Sequence, residues 1–120
     1  MNKQETGRFG EDLAADYLEK EGYIIQERNW RSGHLEVDII ARKDNIWVFV
    51  EVKTRSSDLF GNPELAVDKD KMKKLLRAAE AYCEGREEDI DLRFDIISVI
   101  PGDVVQMKHL ENAFDALGLS

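Results

Sequence analysis

The run LEVDIIARKDNIWVFVEVKTR at residues 35–55 constrains this chain more than any other stretch. It reads as two strands, 35–42 and 46–53, joined by a turn at Lys43, Asp44 and Asn45. Three charged groups stand inside these apolar runs: Asp38 on the first strand, Glu51 and Lys53 on the second. A charge in a buried strand is costly unless it is paired or bound to metal. In the second strand Ile46, Val48, Val50 and Val52 take one face, and Trp47, Phe49, Glu51 and Lys53 the other. Both faces are apolar for most of its length, so it belongs in the middle of a sheet with helices on both sides. In the first strand, simple alternation groups Leu35, Val37 and Ile39 on one face and Glu36, Asp38 and Ile40 on the other.

The remaining elements follow from periodicity. Phe9, Leu13, Ala14, Tyr17 and Leu18 fall on one face of a helix over about 5–21, with Thr6 as its N-cap and Gly22 as its stop. Gly7 and Gly10 weaken such a helix, unless small residues are there to admit another backbone or a ligand. Residues 23–30 read as a strand followed by a turn at Ser32 and Gly33, and 56–63 as a polar loop. A second helix over 68–83 carries the stripe Met72, Leu75, Leu76, Ala79, Tyr82 and Cys83, which places Cys83 in the packing. An acidic loop at 85–91, strands at 92–100 and 104–109, and a short helix at 111–117 complete the chain. His109, beside the edge strand, reads as a surface or turn residue. The expected fold class is α/β in the order αβββαββα: one domain over 1–120, with a mixed sheet flanked by helices.

Charge limits the functional classes. The formal net charge is −8, which argues against a general nucleic-acid binder. The distribution is uneven, however. Residues 69–77 hold five bases and one acid, and 84–91 hold five acids and one base. The single cysteine excludes an internal disulfide and a cysteine-rich zinc site. With no signal-like start and no run long enough to span a bilayer, a cytoplasmic protein without a membrane partner is expected.

Asp38 and Glu51 are thirteen residues apart across a tight strand–turn–strand, a spacing that can bring their carboxylates to one end of adjacent strands. Lys53 projects from the face of Glu51. Two carboxylates with open coordination positions suit Mg2+ or Mn2+. The other reading is an ion pair between Asp38 and Lys53, with Glu51 at a solvated strand end; on the residues alone the two stand about equal.

The set Gly7-Arg8-Phe9-Gly10-Glu11, Gly22-Tyr23, Arg28-Asn29, Glu36-Val37-Asp38, Phe49-Val50-Glu51-Val52-Lys53-Thr54-Arg55 and Lys71 resembles the YraN-like family. The order Glu11, Asp38, Glu51, Lys53 resembles the PD-(D/E)xK nucleases of restriction-endonuclease-like fold, and is similar to archaeal Holliday-junction resolvases. That resemblance implies a magnesium-dependent endonuclease acting on branched or structured DNA as a homodimer. It implies Asp38, Glu51 and the carbonyl of Val52 as metal ligands, Lys53 beside the attacking water, and Glu11 completing the site. Glu36 is a less certain member, and Arg55, Lys71 and Lys74 are phosphate contacts. Two other classes stand beside it: a nucleic-acid-binding accessory protein that does not cut, and a protein–protein interaction module, which the acidic segment 84–91 favours.

Overall fold

The computed structural model describes residues 2–55, 69–86 and 91–113. Their element order is α1 (Lys3–Lys20), β1 (Ile24–Ser32), β2 (Leu35–Lys43), β3 (Ile46–Thr54), α2 (Lys69–Cys83), β4 (Asp91–Ile100) and β5 (Gln106–Leu110). This is the expected α/β order as far as β5. The loop read at 56–63, residues 87–90 of the acidic loop read at 85–91, and residues 114–117 of the helix read at 111–117 lie outside the described residues.

The five strands form one mixed sheet in the spatial order β1-β2-β3-β4-β5. Pairing is antiparallel from β1 to β3, parallel between β3 and β4, and antiparallel again between β4 and β5. The sheet separates two cores. On one side Ala14, Ala15 and Leu18 of α1 pack on Ile39, Ala41, Val48, Val50, Val52, Ile97 and Val99. On the other, Met72, Leu75, Ala78 and Ala79 of α2 pack on Val37, Ile40, Trp47, Phe49, Phe94 and Ile96. β3 is therefore covered on both faces, as its apolar run requires. In α2, Leu76 is 41% exposed and Ala78 takes the core position, so the packed stripe lies slightly to one side of the one read from periodicity. Cys83 is half-buried against the α2-side core, and burial raises its thiol pKa.

Helix α1 begins earlier than expected. Asn2 is the N-cap, its side chain accepting from the Glu5 amide at 2.8 Å. Thr6 is already helical and donates its hydroxyl to the Asn2 carbonyl at 2.9 Å. Both are capping types, but Asn2 comes first, and Lys3, Gln4 and Glu5 are good helix formers that let the helix start there. The far end stops as expected: Gly22 takes φ +94°, and the Tyr23 amide reaches back to the Leu18 carbonyl at 2.9 Å.

The larger departure is in β2. Val37 packs on the α2 side, whereas Ile39 packs on the α1 side, although the two are separated by a single residue. The alternation therefore slips at Asp38. β1 slips with it, because Trp30 packs on the α2 side while Arg28 bonds Asp12 of α1. The register pairs Arg28 with Ile39 and Trp30 with Val37, which sets Asn29 opposite Asp38. Asn29 has φ +52°, a left-handed conformation that asparagine tolerates better than most residues. One left-handed residue lets the β1–β2 ribbon exchange its faces without losing its pairing.

Candidate active site

That slip positions Asp38. The β2–β3 ladder runs from Lys43↔Ile46 to Ile39↔Val50 and stops there. The Val52 amide takes a side chain in place of a ladder carbonyl, donating to Asp38 Oδ2 at 2.8 Å. The Asp38 carboxylate is thus fixed at the mouth of the gap between the two strands. Val52 and Thr54 face α1, while Glu51 and Lys53 face α2.

On the α1 side, a cleft of roughly 430 Å3 is lined by Asn2, Lys3, Thr6, Gly7 and Glu11 of the helix and by Asp38, Val52 and Thr54 of the sheet. Gly10 makes this approach possible. A Cβ added there would lie 1.8 Å from Thr54 Oγ1 and 3.0 Å from Thr54 Cβ. Small residues in the first helix are expected to admit another backbone or a ligand; at Gly10 it is the Thr54 side chain that comes close, and Gly7 lines the cleft without a close neighbour. Glu11 follows Gly10 and lines the same cleft as Asp38. Burial raises the Glu11 pKa, while Arg28 pulls it back.

On the α2 side, Glu51 is 4% exposed. Its Oε1 lies 3.4 Å from Lys53 Nζ and 3.5 Å from Lys71 Nζ. The alternative ion pair between Asp38 and Lys53, with Glu51 solvated, is therefore not formed: Lys53 pairs with Glu51, and Glu51 is buried. Burial pushes Asp38 up to about 6, with Glu11 adding to the rise and the Val52 amide and Lys71 opposing it. Burial likewise pushes Glu51 up to about 7, with the nearby Asp38 charge adding and Lys71 and Lys53 opposing. Two carboxylates that both resist ionisation form a site that gains from a cation.

The other sequence-derived candidates divide. Lys71 joins the site. Lys74, one turn further along α2, and Arg55, whose amide donates to the Val99 carbonyl at 2.9 Å, are exposed. Glu36 is exposed and pairs with Arg31 at 3.3 Å, and its charge adds to the upward shift of Asp38. Among the described residues, no group of three or more His, Cys, Asp and Glu side chains is drawn together closely enough to hold a metal. The donors that fit a divalent ion are the oxygens of Asp38 and Glu51, an all-oxygen pair suited to Mg2+ or Mn2+.

A second polar cluster escaped the sequence reading. Asp95 of β4 is 1% exposed. It takes Arg93 on both oxygens, at 2.9 and 2.8 Å, His109 Nε2 at 2.7 Å and the Asn112 amide at 3.0 Å. His109 Nδ1 shares a 2.8 Å hydrogen bond with the Tyr17 hydroxyl, and Arg93 donates to the Tyr23 hydroxyl. Burial alone would raise Asp95, but His109, Arg93 and the Asn112 amide together hold it below the usual carboxylate range. His109 is thus a buried link between α1, β4 and β5, not a surface residue. The signal was a lone aspartate in the apolar run LRFDIISVI, the same oddity that marked Asp38.

Residues 10–99 match the Uncharacterised protein family UPF0102, a span that includes Glu11, Asp38, Glu51, Val52, Lys53, Arg55, Lys71 and Lys74. The chain belongs to that family. A UPF0102 protein of Bacteroides thetaiotaomicron is 50% identical over 111 residues, covering 92% of each chain. One from Flavobacterium johnsoniae is 50% identical over 115 residues, covering 92% of this chain and 94% of the relative. One from Dictyoglomus turgidum is 41% identical over 118 residues, covering 95% of this chain and all of the relative (100%). The UPF0102 likeness thus extends well beyond the hairpin. Among the described residues of this member, no helix is long and apolar enough to cross a membrane.

Proposed function

We propose that this UPF0102 protein is a divalent-metal-dependent endonuclease of the PD-(D/E)xK type, hydrolysing phosphodiester bonds in branched or structured DNA in the cytoplasm. The observation that carries the reading is the pair of half-buried Asp38 and buried Glu51, whose charges repel, with Glu11 on one side and Lys53 and Lys71 on the other. Asp38 and Glu51 would hold Mg2+ or Mn2+, with the Val52 carbonyl as a further ligand. When bound, such an ion lowers the pKa of a water and offsets charge on the phosphate.

The chain's own residues do the rest. The Val52 amide fixes one Asp38 oxygen, so the carboxylate is oriented before a ligand arrives. Lys53 Nζ, held beside Glu51, orients the attacking water and offsets the negative charge that develops on the phosphate. The Glu11 carboxyl closes the acidic wall on the α1 side. Lys74 and Arg55, both exposed, bind flanking phosphates, and a homodimer would cut two strands. A module that binds DNA without cutting it is the second reading. It is favoured by the two lysines, which already neutralise Glu51 without a metal.

The test is to offer the purified chain four-way junctions, flaps and single strands with Mg2+ or Mn2+. Cleavage that is lost in Glu51→Ala supports the nuclease. Cleavage that persists in this variant removes the mechanism, and binding without turnover selects the second reading.

A further inference from the structure

Both lysines on Glu51 meet the same oxygen, but they arrive by different routes. Lys53 belongs to the same strand and face, two residues on. Lys71 comes from α2, whose packing is supplied by Met72, Leu75, Ala78 and Ala79, and its side chain stays 31% exposed. Holding a lysine against a buried carboxylate costs side-chain entropy and desolvation. What it gains is electrostatic: its ammonium stands 3.5 Å from Glu51 Oε1, an oxygen that Lys53 already meets at 3.4 Å. Lys71 therefore supplies the carboxylate pair with the kind of charge a divalent ion would bring. An ammonium and a divalent ion on the same carboxylate would repel each other, and Lys71, carried by a separate helix and 31% exposed, is the one of the two lysines with a path to solvent off the strand of Glu51.

We infer that Lys71 is an exchangeable internal counter-ion. In the metal-free protein it neutralises Glu51. When a divalent ion enters, Lys71 leaves Glu51 Oε1 and turns to solvent beside Lys74, three residues on along the same helix, where it is available to a phosphate of the nucleic acid. This rests on the reading of Asp38 and Glu51 as metal ligands. It makes metal and nucleic acid bind with positive coupling, and such coupling is reciprocal.

The experiment is a calorimetric titration of Mn2+ into the full chain at pH 8, for wild type, Lys71→Met, Lys71→Arg and Lys74→Met. Junction-DNA affinity is then measured with and without Mn2+. Lys71→Met is expected to bind Mn2+ about tenfold more tightly and to lose the gain in DNA affinity that Mn2+ gives the wild type. Lys71→Arg and Lys74→Met are expected to keep the wild-type Mn2+ affinity. If Lys71→Met does not fold, Lys71→Gln carries the same expectation. Unchanged or weaker Mn2+ binding on loss of the Lys71 charge overturns the exchange. A wild type that binds no Mn2+ overturns the metal reading, and the exchange with it. A wild type that binds Mn2+, shows the Lys71 effect on it and ignores DNA sinks the nuclease reading while the exchange stands.

Discussion

Replacing Asp38 by asparagine should make the metal-free protein more stable at pH 8 and leave it little changed near pH 4. The Asp38 carboxyl is raised from 3.8 to about 6 by burial, with Glu11 adding to the rise. A group raised in this way holds its proton longer in the folded than in the unfolded chain. Its contribution is fully favourable below the unfolded pKa and is lost as pH climbs through the folded one. A shift of about two units at roughly 1.4 kcal/mol each amounts to about 3 kcal/mol of destabilisation at pH 8. Asparagine keeps an acceptor for the Val52 amide, but a neutral acceptor is weaker than a charged one by about 1 kcal/mol. The net expectation is a gain of about 2 kcal/mol at pH 8, read from urea midpoints in EDTA at pH 4 and pH 8. Mn2+ should then reverse the ranking, since it stabilises only a chain that binds it. An asparagine variant no more stable than wild type at pH 8 would refute the claim that the carboxylate is held against its preference.

Three further outcomes are expected. Gly10→Ala should cost about 1–3 kcal/mol, because the new Cβ lands on Thr54, and thermal melts of a Gly10→Ala, Thr54→Ala double variant should recover part of that loss. Asp95→Ala should destabilise the fold by about 3 kcal/mol by leaving half-buried Arg93, His109 and the Asn112 amide without the carboxylate they share; a loss under about 1 kcal/mol in denaturant titration would contradict the Asp95 network. Exchanging Lys74 and Arg55 for glutamine, singly and together, should flatten the salt dependence of DNA binding by about 0.9 for each phosphate no longer neutralised, with an unchanged slope placing the nucleic acid elsewhere.

Most of the architecture was legible because periodicity reports burial directly. The two apolar faces of residues 46–53 predicted a central strand, observed as Ile46–Thr54, and the α2 stripe predicted its covering helix. The site was legible by the cost of its charges: Asp38, Glu51 and Lys53 stand out of place in apolar runs, and burial raises both carboxylates. Three things were not legible. The face exchange at Asn29 and Asp38 depends on one left-handed residue, and period-two reasoning assumes there is none. The partner of Lys53 depends on which carboxylate is nearer in space, which spacing along the chain does not fix. The His109–Asp95 link joins residues from β5 and β4 to Tyr17 of α1, so no local window contains it.

The early end of the β2–β3 ladder makes one backbone amide a gauge of the whole site. The Val52 amide is protected by a side chain that titrates and that, on the proposed reading, would also hold the metal, whereas the amides deeper in the sheet are protected by other strands. Its hydrogen–deuterium exchange should follow the Asp38 carboxylate, slowing when an ion pins that side chain and quickening in Asp38→Ala. The rest of β3 should exchange as before.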